Sequence, residues 1–180
     1  MWQPASRAAR MVAQVEFIDP RGDSGARMLR DRASFETFAR EGLHQPTFDL
    51  EDELYRPYGF VLAAWTDAGK PAGFLSASRA ADELHILSVA VEPSLRQLGL
   101  GRVLVERIVQ HGRDTDMRLL FLEVRRSNTP AIRLYRRVGF VAVNVRARYY
   151  TDNDEDAVEM AFAIAPDALR PFGPPVDTGD

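Results

Sequence analysis

Apolar residues along the chain alternate between a period of two and a helical period, and the switches mark its elements. Val12 to Ile18 reads as a first strand. From Asp23 to Arg40 the apolar positions Met28-Leu29, Phe35 and Phe38-Ala39 recur at helical spacing, as two short helices broken near Ala33-Ser34. Gly42 to Pro46 is a break, and Asp49 to Tyr55 is one more helical turn. Gly59 to Trp65 and Pro71 to Ser78 are strands joined by the hairpin turn Asp67-Ala68-Gly69-Lys70. Glu83 to Glu92 completes an antiparallel meander.

The pattern then changes. Leu100, Val103-Leu104 and Ile108 follow a helical period, and Gly112 before Asp114 is the expected stop. Leu119 to Val124 is apolar on both faces, as in a strand buried between layers. Thr129-Pro130 opens a helix with proline in its first turn, and Gly139 ends it. Phe140 to Tyr150 alternates, with Val141, Val143 and Val145 on one face, and Ala157 to Ile164 is the last strand. The order predicts a mixed α/β (α+β) domain over residues 12–165. Residues 1–11 read as a loose Ala/Arg-rich arm, and residues 166–180 as a flexible tail rich in Pro and Gly.

Composition narrows the chemistry. Hydrophobic residues make up 46% of 180, enough for one real core. The chain has no cysteine, which excludes disulfides, thiolate nucleophiles and thiolate metal ligands. Its histidines, His44, His85 and His111, lack metal-ligand spacing, so no metal is expected. A net charge of −3 argues against a nucleic-acid partner. No apolar run approaches a membrane span and the start lacks a signal core, so a cytoplasmic protein without a membrane partner is expected.

One stretch, Leu84 to Phe140, concentrates the candidate chemistry. The turn Arg96-Gln97-Leu98-Gly99-Leu100-Gly101-Arg102 follows a strand and opens a helix. Glycines let backbone N–H groups approach an anion, and the helix dipole adds its positive end. The turn suits a pyrophosphate; it also reads as a plain loop with glycines for geometry. It lacks the third glycine of a dinucleotide fingerprint and the Gly-Lys-Ser/Thr of a P-loop. Glu123 is a lone acid on an apolar strand. It is either a general base or an acid paired with Arg125 or Arg126. Tyr135 is a proton donor or a core tyrosine whose hydroxyl reaches solvent, and Asn128 is a helix cap or a cofactor-binding amide. Tyr149 and Tyr150 wall a substrate slot or cover a half-buried strand. Asp152, Asp154, Glu155 and Asp156 read as a solvated turn.

The segment Val89 to Arg102, with Arg96-x-x-Gly99-x-Gly101, resembles the acetyl-CoA motif of the GNAT N-acetyltransferase superfamily. Leu122-Glu123-Val124-Arg125-Arg126-Ser127-Asn128, Ala131-Ile132, Leu134-Tyr135, Val138-Gly139-Phe140, Arg148-Tyr149-Tyr150 and Asp156-Ala157-Val158-Glu159-Met160 resemble its RimI-like members. Those acetylate the N-terminal alanine of a ribosomal protein. The resemblance implies a mostly antiparallel sheet of about seven strands with parted central strands, flanked by about four helices. It implies acetyl-CoA as cofactor, held by Val89, Ala90, Val91, Gln97, Leu98, Gly99, Leu100, Gly101, Arg102 and Asn128. It implies Glu123 as base, Tyr135 as acid, and Tyr149 and Tyr150 at the acceptor. Gly42 to Tyr58 departs from the RimI pattern, which keeps a small-molecule amine open as alternative acceptor. A non-catalytic acyl-CoA-binding module is the third reading. A monomer or weak homodimer is expected.

Overall fold

The computed structural model describes residues 12–43, 47–176 and 178. The expected N-terminal arm lies outside them, as do His44, Gln45 and Pro46. The described residues form β1 (Val12–Phe17), α1 (Asp23–Arg30), α2 (Arg32–Leu43), α3 (Leu50–Leu54), β2 (Gly59–Thr66), β3 (Pro71–Ala80) and β4 (Glu83–Val91). There follow α4 (Leu100–Asp114), β5 (Leu119–Arg125), α5 (Thr129–Val138), β6 (Val141–Tyr150) and β7 (Glu155–Ala163). The seven strands are ordered β1-β2-β3-β4-β5-β7-β6, and this is the α/β fold anticipated above. No helix among the described residues is long and apolar enough to cross a membrane.

The chain divides into two compact units. The first holds the described residues up to Arg79 together with Leu87–Leu104. Here β1 runs antiparallel to β2 and β2 to β3, as the hairpin signal predicted. Its core gathers Met28, Leu50, Val61 and an aromatic cluster centred on fully buried Phe35, which meets Phe38, Trp65 and Phe74 edge-on at about 6 Å. Such edge contacts add to the area term. The helix break falls at Asp31, two residues before the expected place. Asp49 caps α3 by accepting from the N–H groups of Glu51 and Asp52.

The second unit holds Ala80–Ile86 and the described residues from Val105 onward. Its β4–β5 pairing is parallel and comprises Glu83↔Leu119 through Ile86↔Leu122. From Glu123 onward β5 pairs with β7 alone. Three sequence readings need correcting here. Helix α4 does not stop at Gly112 but runs through it to Asp114. A Cβ on Gly112 would lie 2.8 Å from Ile164 Cδ1 and 3.1 Å from Leu120 Cδ1, so this glycine serves close packing rather than capping. In β6 the expected Val141/Val143/Val145 face is broken, because the register shifts between Ala142 and Asn144 and buries both Ala142 and Val143. The segment after Ile164 is not a loose tail over its described residues. Ala168 is buried with Leu119, Val143 and Ala161, Phe172 stacks on Phe121 at 6.3 Å, and Val176 N–H donates to Ala142 O. Proline denies this segment a regular ladder but leaves its apolar side chains able to cover the sheet.

An ionic cluster ties the β6–β7 turn to the end of β5. Arg125 donates two bonds to the Asp152 carboxylate and one to Glu155, and its guanidinium lies 3.9 Å over the Tyr150 ring. Glu155 also accepts from the Ser127 N–H at 2.8 Å. Burial pushes the Glu155 pKa up, but the Ser127, Asn153 and Arg125 hydrogen bonds outweigh it and hold the group at about 2 against an ordinary 4.5. The acidic turn expected to be merely solvated is therefore part of the scaffold.

Two outcomes follow from this packing. A Cβ on Gly73 would sit 2.7 Å from the main-chain O of Ala90, which no side-chain rotation relieves. Gly73→Ala should therefore lower stability by about 1–3 kcal/mol, read as a drop in the urea midpoint at unchanged slope. Because the folded-state pKa of Glu155 is depressed, its stabilising contribution is complete above its ordinary 4.5 and is lost as pH falls through about 2. The urea midpoint should fall across that window, and it should fall less steeply in Glu155→Gln.

Candidate active site

The glycine turn lies in the first unit and is built by local conformational limits. Val91 ends β4, a single 3-10 turn spans Pro93–Leu95, and Glu92 caps it by accepting from Leu95 N–H. Gln97 and Gly99 are both left-handed, with φ of 60° and 98°. Glycine takes that conformation freely; glutamine does so at a cost. Val103 N–H donates to Gly99 O and starts the α4 ladder, so the N–H groups of Leu100, Gly101 and Arg102 precede the first intrahelical bond. Backbone donors at the positive end of a helix suit an anionic ligand. Arg96, expected to add charge to this turn, instead donates from Nε to Val91 O at 3.0 Å and fastens the turn to the strand end. On β4 the side chain of Ala90 is buried while Val89 and Val91 are half-buried and Leu87 is exposed, leaving an apolar face in part uncovered.

The acid–base candidates lie in the second unit. Glu123 is on the half-buried face of β5, directly opposite Glu159 of β7. It contacts neither Arg125 nor Arg126, the partners the sequence offered: Arg125 is committed to Asp152 and Glu155, and Arg126 meets Asp156. The partner is Arg146 of β6, whose Nη1 lies 3.5 Å from Glu123 Oε1 and 3.5 Å from Glu159 Oε1. Asn144 donates to the other Glu159 oxygen at 2.8 Å.

Tyr135 is buried on α5 and its ring packs against Phe140 at 5.8 Å. Burial first, then the nearby Tyr150, push its pKa well above the usual phenol value, so it is protonated throughout the physiological range. Tyr150 is likewise raised, to about 12, by burial against the opposing pull of Arg125. Tyr149 is raised by burial and by the charge of Glu123, and the Arg146 guanidinium lies 4.4 Å over its ring. The two tyrosines meet edge-on at 5.1 Å. Asn128 is the cap of α5: its Oδ1 accepts from Ala131 N–H at 3.3 Å, so any cofactor contact falls to its Nδ2.

The second unit thus brings together Glu123, Tyr149 and Tyr150, with Tyr135 coupled to Tyr150, while the glycine turn stands in the first. Sequence reasoning missed Arg146 and Glu159. Glu159 lies in a RimI-like segment, but what brings it beside Arg146 is the β5–β7–β6 register, which two shifts in the β6 pairing hide from simple alternation.

Comparison with known proteins identifies the family. Residues 26–140 match the model of the acetyltransferase (GNAT) family. A ribosomal protein bS18 alanine N-acetyltransferase of Escherichia coli is 39% identical over 102 residues, covering 56% of this chain and 69% of that protein. The N-alpha-acetyltransferase RimI of Mycobacterium tuberculosis is 32% identical over 119 residues, covering 64% and 73%. The crystal structure of the Escherichia coli enzyme superposes with a TM-score of 0.64 at 25% identity, covering 84% of this chain and 95% of that one. With the glycine turn, the sheet order and these relatives agreeing, the chain belongs to the GNAT family of acetyltransferases, which use acetyl-CoA.

Proposed function

We propose that this acetyltransferase acts on the N-terminal amine of a protein, a ribosomal-protein alanine terminus being the first candidate, and that it works in the cytoplasm as a monomer or weak homodimer. The observation carrying this reading is the 39% identity, over 102 residues, to the ribosomal protein bS18 alanine N-acetyltransferase of Escherichia coli. Acetyl-CoA, when bound, supplies an acetyl thioester open to an amine. The donor set of the glycine turn fits its pyrophosphate: the main-chain N–H groups of Gln97, Leu98, Gly99, Leu100, Gly101 and Arg102 would hold the charge without needing a side chain. Val89, Ala90 and Val91 would offer main-chain groups to the pantetheine arm, and Asn128 an amide.

Glu123 takes a proton from the acceptor's ammonium, directly or through one water. An α-amino group has an ordinary pKa of about 8, so near neutral pH the proton is only modestly held. Tyr135 holds the proton that the departing sulfur receives. Burial secures it in the protonated form, which a donor must have before the reaction starts. Tyr149 and Tyr150 flank the acceptor, with Tyr149 close enough to Glu123 to feel its charge.

A small-molecule acceptor remains a second reading on one observation. A cleft of about 530 Å³ in the first unit is lined by Asp49, Glu51, Asp52, Tyr55, Arg56 and Pro57, within the Gly42 to Tyr58 stretch that departs from the RimI pattern. A panel of peptides with free N-terminal alanine, run beside polyamines and free amino acids, decides between them. In the peptide assay Glu123→Gln should lower kcat by about 100-fold or more and Tyr135→Phe by at least about tenfold, the range expected of lost general acid–base groups. Unchanged rates in both would remove these roles.

A further inference from the structure

The Glu123 carboxylate is not alone. Glu159 stands directly opposite it on the neighbouring strand, where Cβ atoms approach to about 5 Å and like charges repel. One cation, Arg146, sits at the same 3.5 Å from an oxygen of each. That distance is beyond an ordinary charge-assisted bond: Arg146 makes one long hydrogen bond, to Glu123, and is held at the same distance by the Glu159 charge, so it is not closed onto either. Glu159 is better held than Glu123: it is the more buried of the two, and Asn144 fixes its second oxygen at 2.8 Å. Arg146 is half-exposed, and its plane is braced by the Tyr149 ring at 4.4 Å.

We infer that Glu159 is a positioning residue for the reaction: by competing for Arg146 it keeps that cation from closing onto Glu123, leaving the Glu123 carboxylate available to the acceptor's proton. The inference rests on the reading of Glu123 as the base. Two carboxylates sharing one guanidinium carry one uncompensated negative charge between them. Removing the Glu159 charge leaves Arg146 a single partner, and a full Arg146–Glu123 ion pair both blocks the carboxylate and weakens it as a proton acceptor. Asn144 acts through Glu159, and Tyr149 through its contacts with both Arg146 and Glu123. The arrangement predicts a sign reversal that packing alone does not produce: the harm done by losing Glu159 should be undone by also losing Arg146.

The test is a double-mutant cycle on the full chain, with a peptide bearing N-terminal alanine as acceptor and CoA affinity read separately by calorimetry. Glu159→Gln keeps shape and the Asn144 contact while removing charge. It should lower kcat about tenfold, a part of what a whole general base is worth, with the melting midpoint and CoA affinity unchanged. Adding Arg146→Gln to Glu159→Gln should recover most of that loss. Glu159→Gln at the wild-type kcat overturns the inference, and so does a double variant no faster than the single one. Should Glu159→Gln melt early, the comparison moves to Glu159→Asp, which keeps the charge: recovered kcat supports the inference and a rate as low as that of Glu159→Gln overturns it. Glu123→Gln, run alongside, separates the two claims. If it retains full activity the base assignment falls and this inference with it; if it is inactive while Glu159→Gln is not, only the inference falls.

Discussion

The register between β5 and β7 is the constraint on which the second unit's chemistry depends. It pairs Leu119 with Ala163 and runs without a shift to Arg125 opposite Ala157. Because side chains alternate along a strand, this one register puts Leu120, Leu122 and Val124 in the core and turns Phe121, Glu123 and Arg125 to the other face. A slip by one residue would bury Glu123 and Arg125 and expose the leucines. The apolar run that made the strand look buried on both sides is thus buried on one, and the polar residues on the second face are where the candidate chemistry gathers.

On that face charges are distributed rather than paired off. Arg125 takes Asp152, Glu155 and the Tyr150 ring, and Arg146 takes Glu123, Glu159 and the Tyr149 ring. The two arginines repeat one pattern: a guanidinium on an aromatic face between two carboxylates. They differ in depth. Arg125 is 13% exposed and its contacts are short, as suits a clamp on a turn; Arg146 is 48% exposed and its contacts are long, as suits a cation that can be displaced. Surface ion pairs contribute little to stability, so the Arg146 contacts add little to the fold.

Local signals were readable from the sequence, and non-local ones were not. The glycine turn, the Asn128 cap and the Gly139 stop each lie within a few residues of what they act on, and each stands where the sequence indicated. Gly139 takes φ of 114°, as a helix stop requires. Gly112 misled because composition cannot separate a glycine needed for conformation from one needed for space; its constraint comes from Ile164, fifty-two positions away. Glu159 and Arg146 were missed for the same reason. Nothing near either residue names its partner, and the register shifts in β6 break the rule that would have put Asn144 and Arg146 beside Glu159. The tail was misread because proline content was taken as evidence against packing, when it bears only on regular backbone pairing.

The burial of Tyr135 sets a limit on how proton transfer proceeds. A phenol pushed up by desolvation holds its proton more tightly than a free one and releases it reluctantly. Transfer to a departing atom is then favoured only once that atom carries most of its negative charge, and the tyrosinate left behind must regain a proton soon afterwards. The closest ionisable neighbour acting on Tyr135 is Tyr150, itself raised to about 12 and lying under the Arg125 cation. Tyr150 raises the Tyr135 pKa rather than lowering it, so it adds to the reluctance that burial imposes.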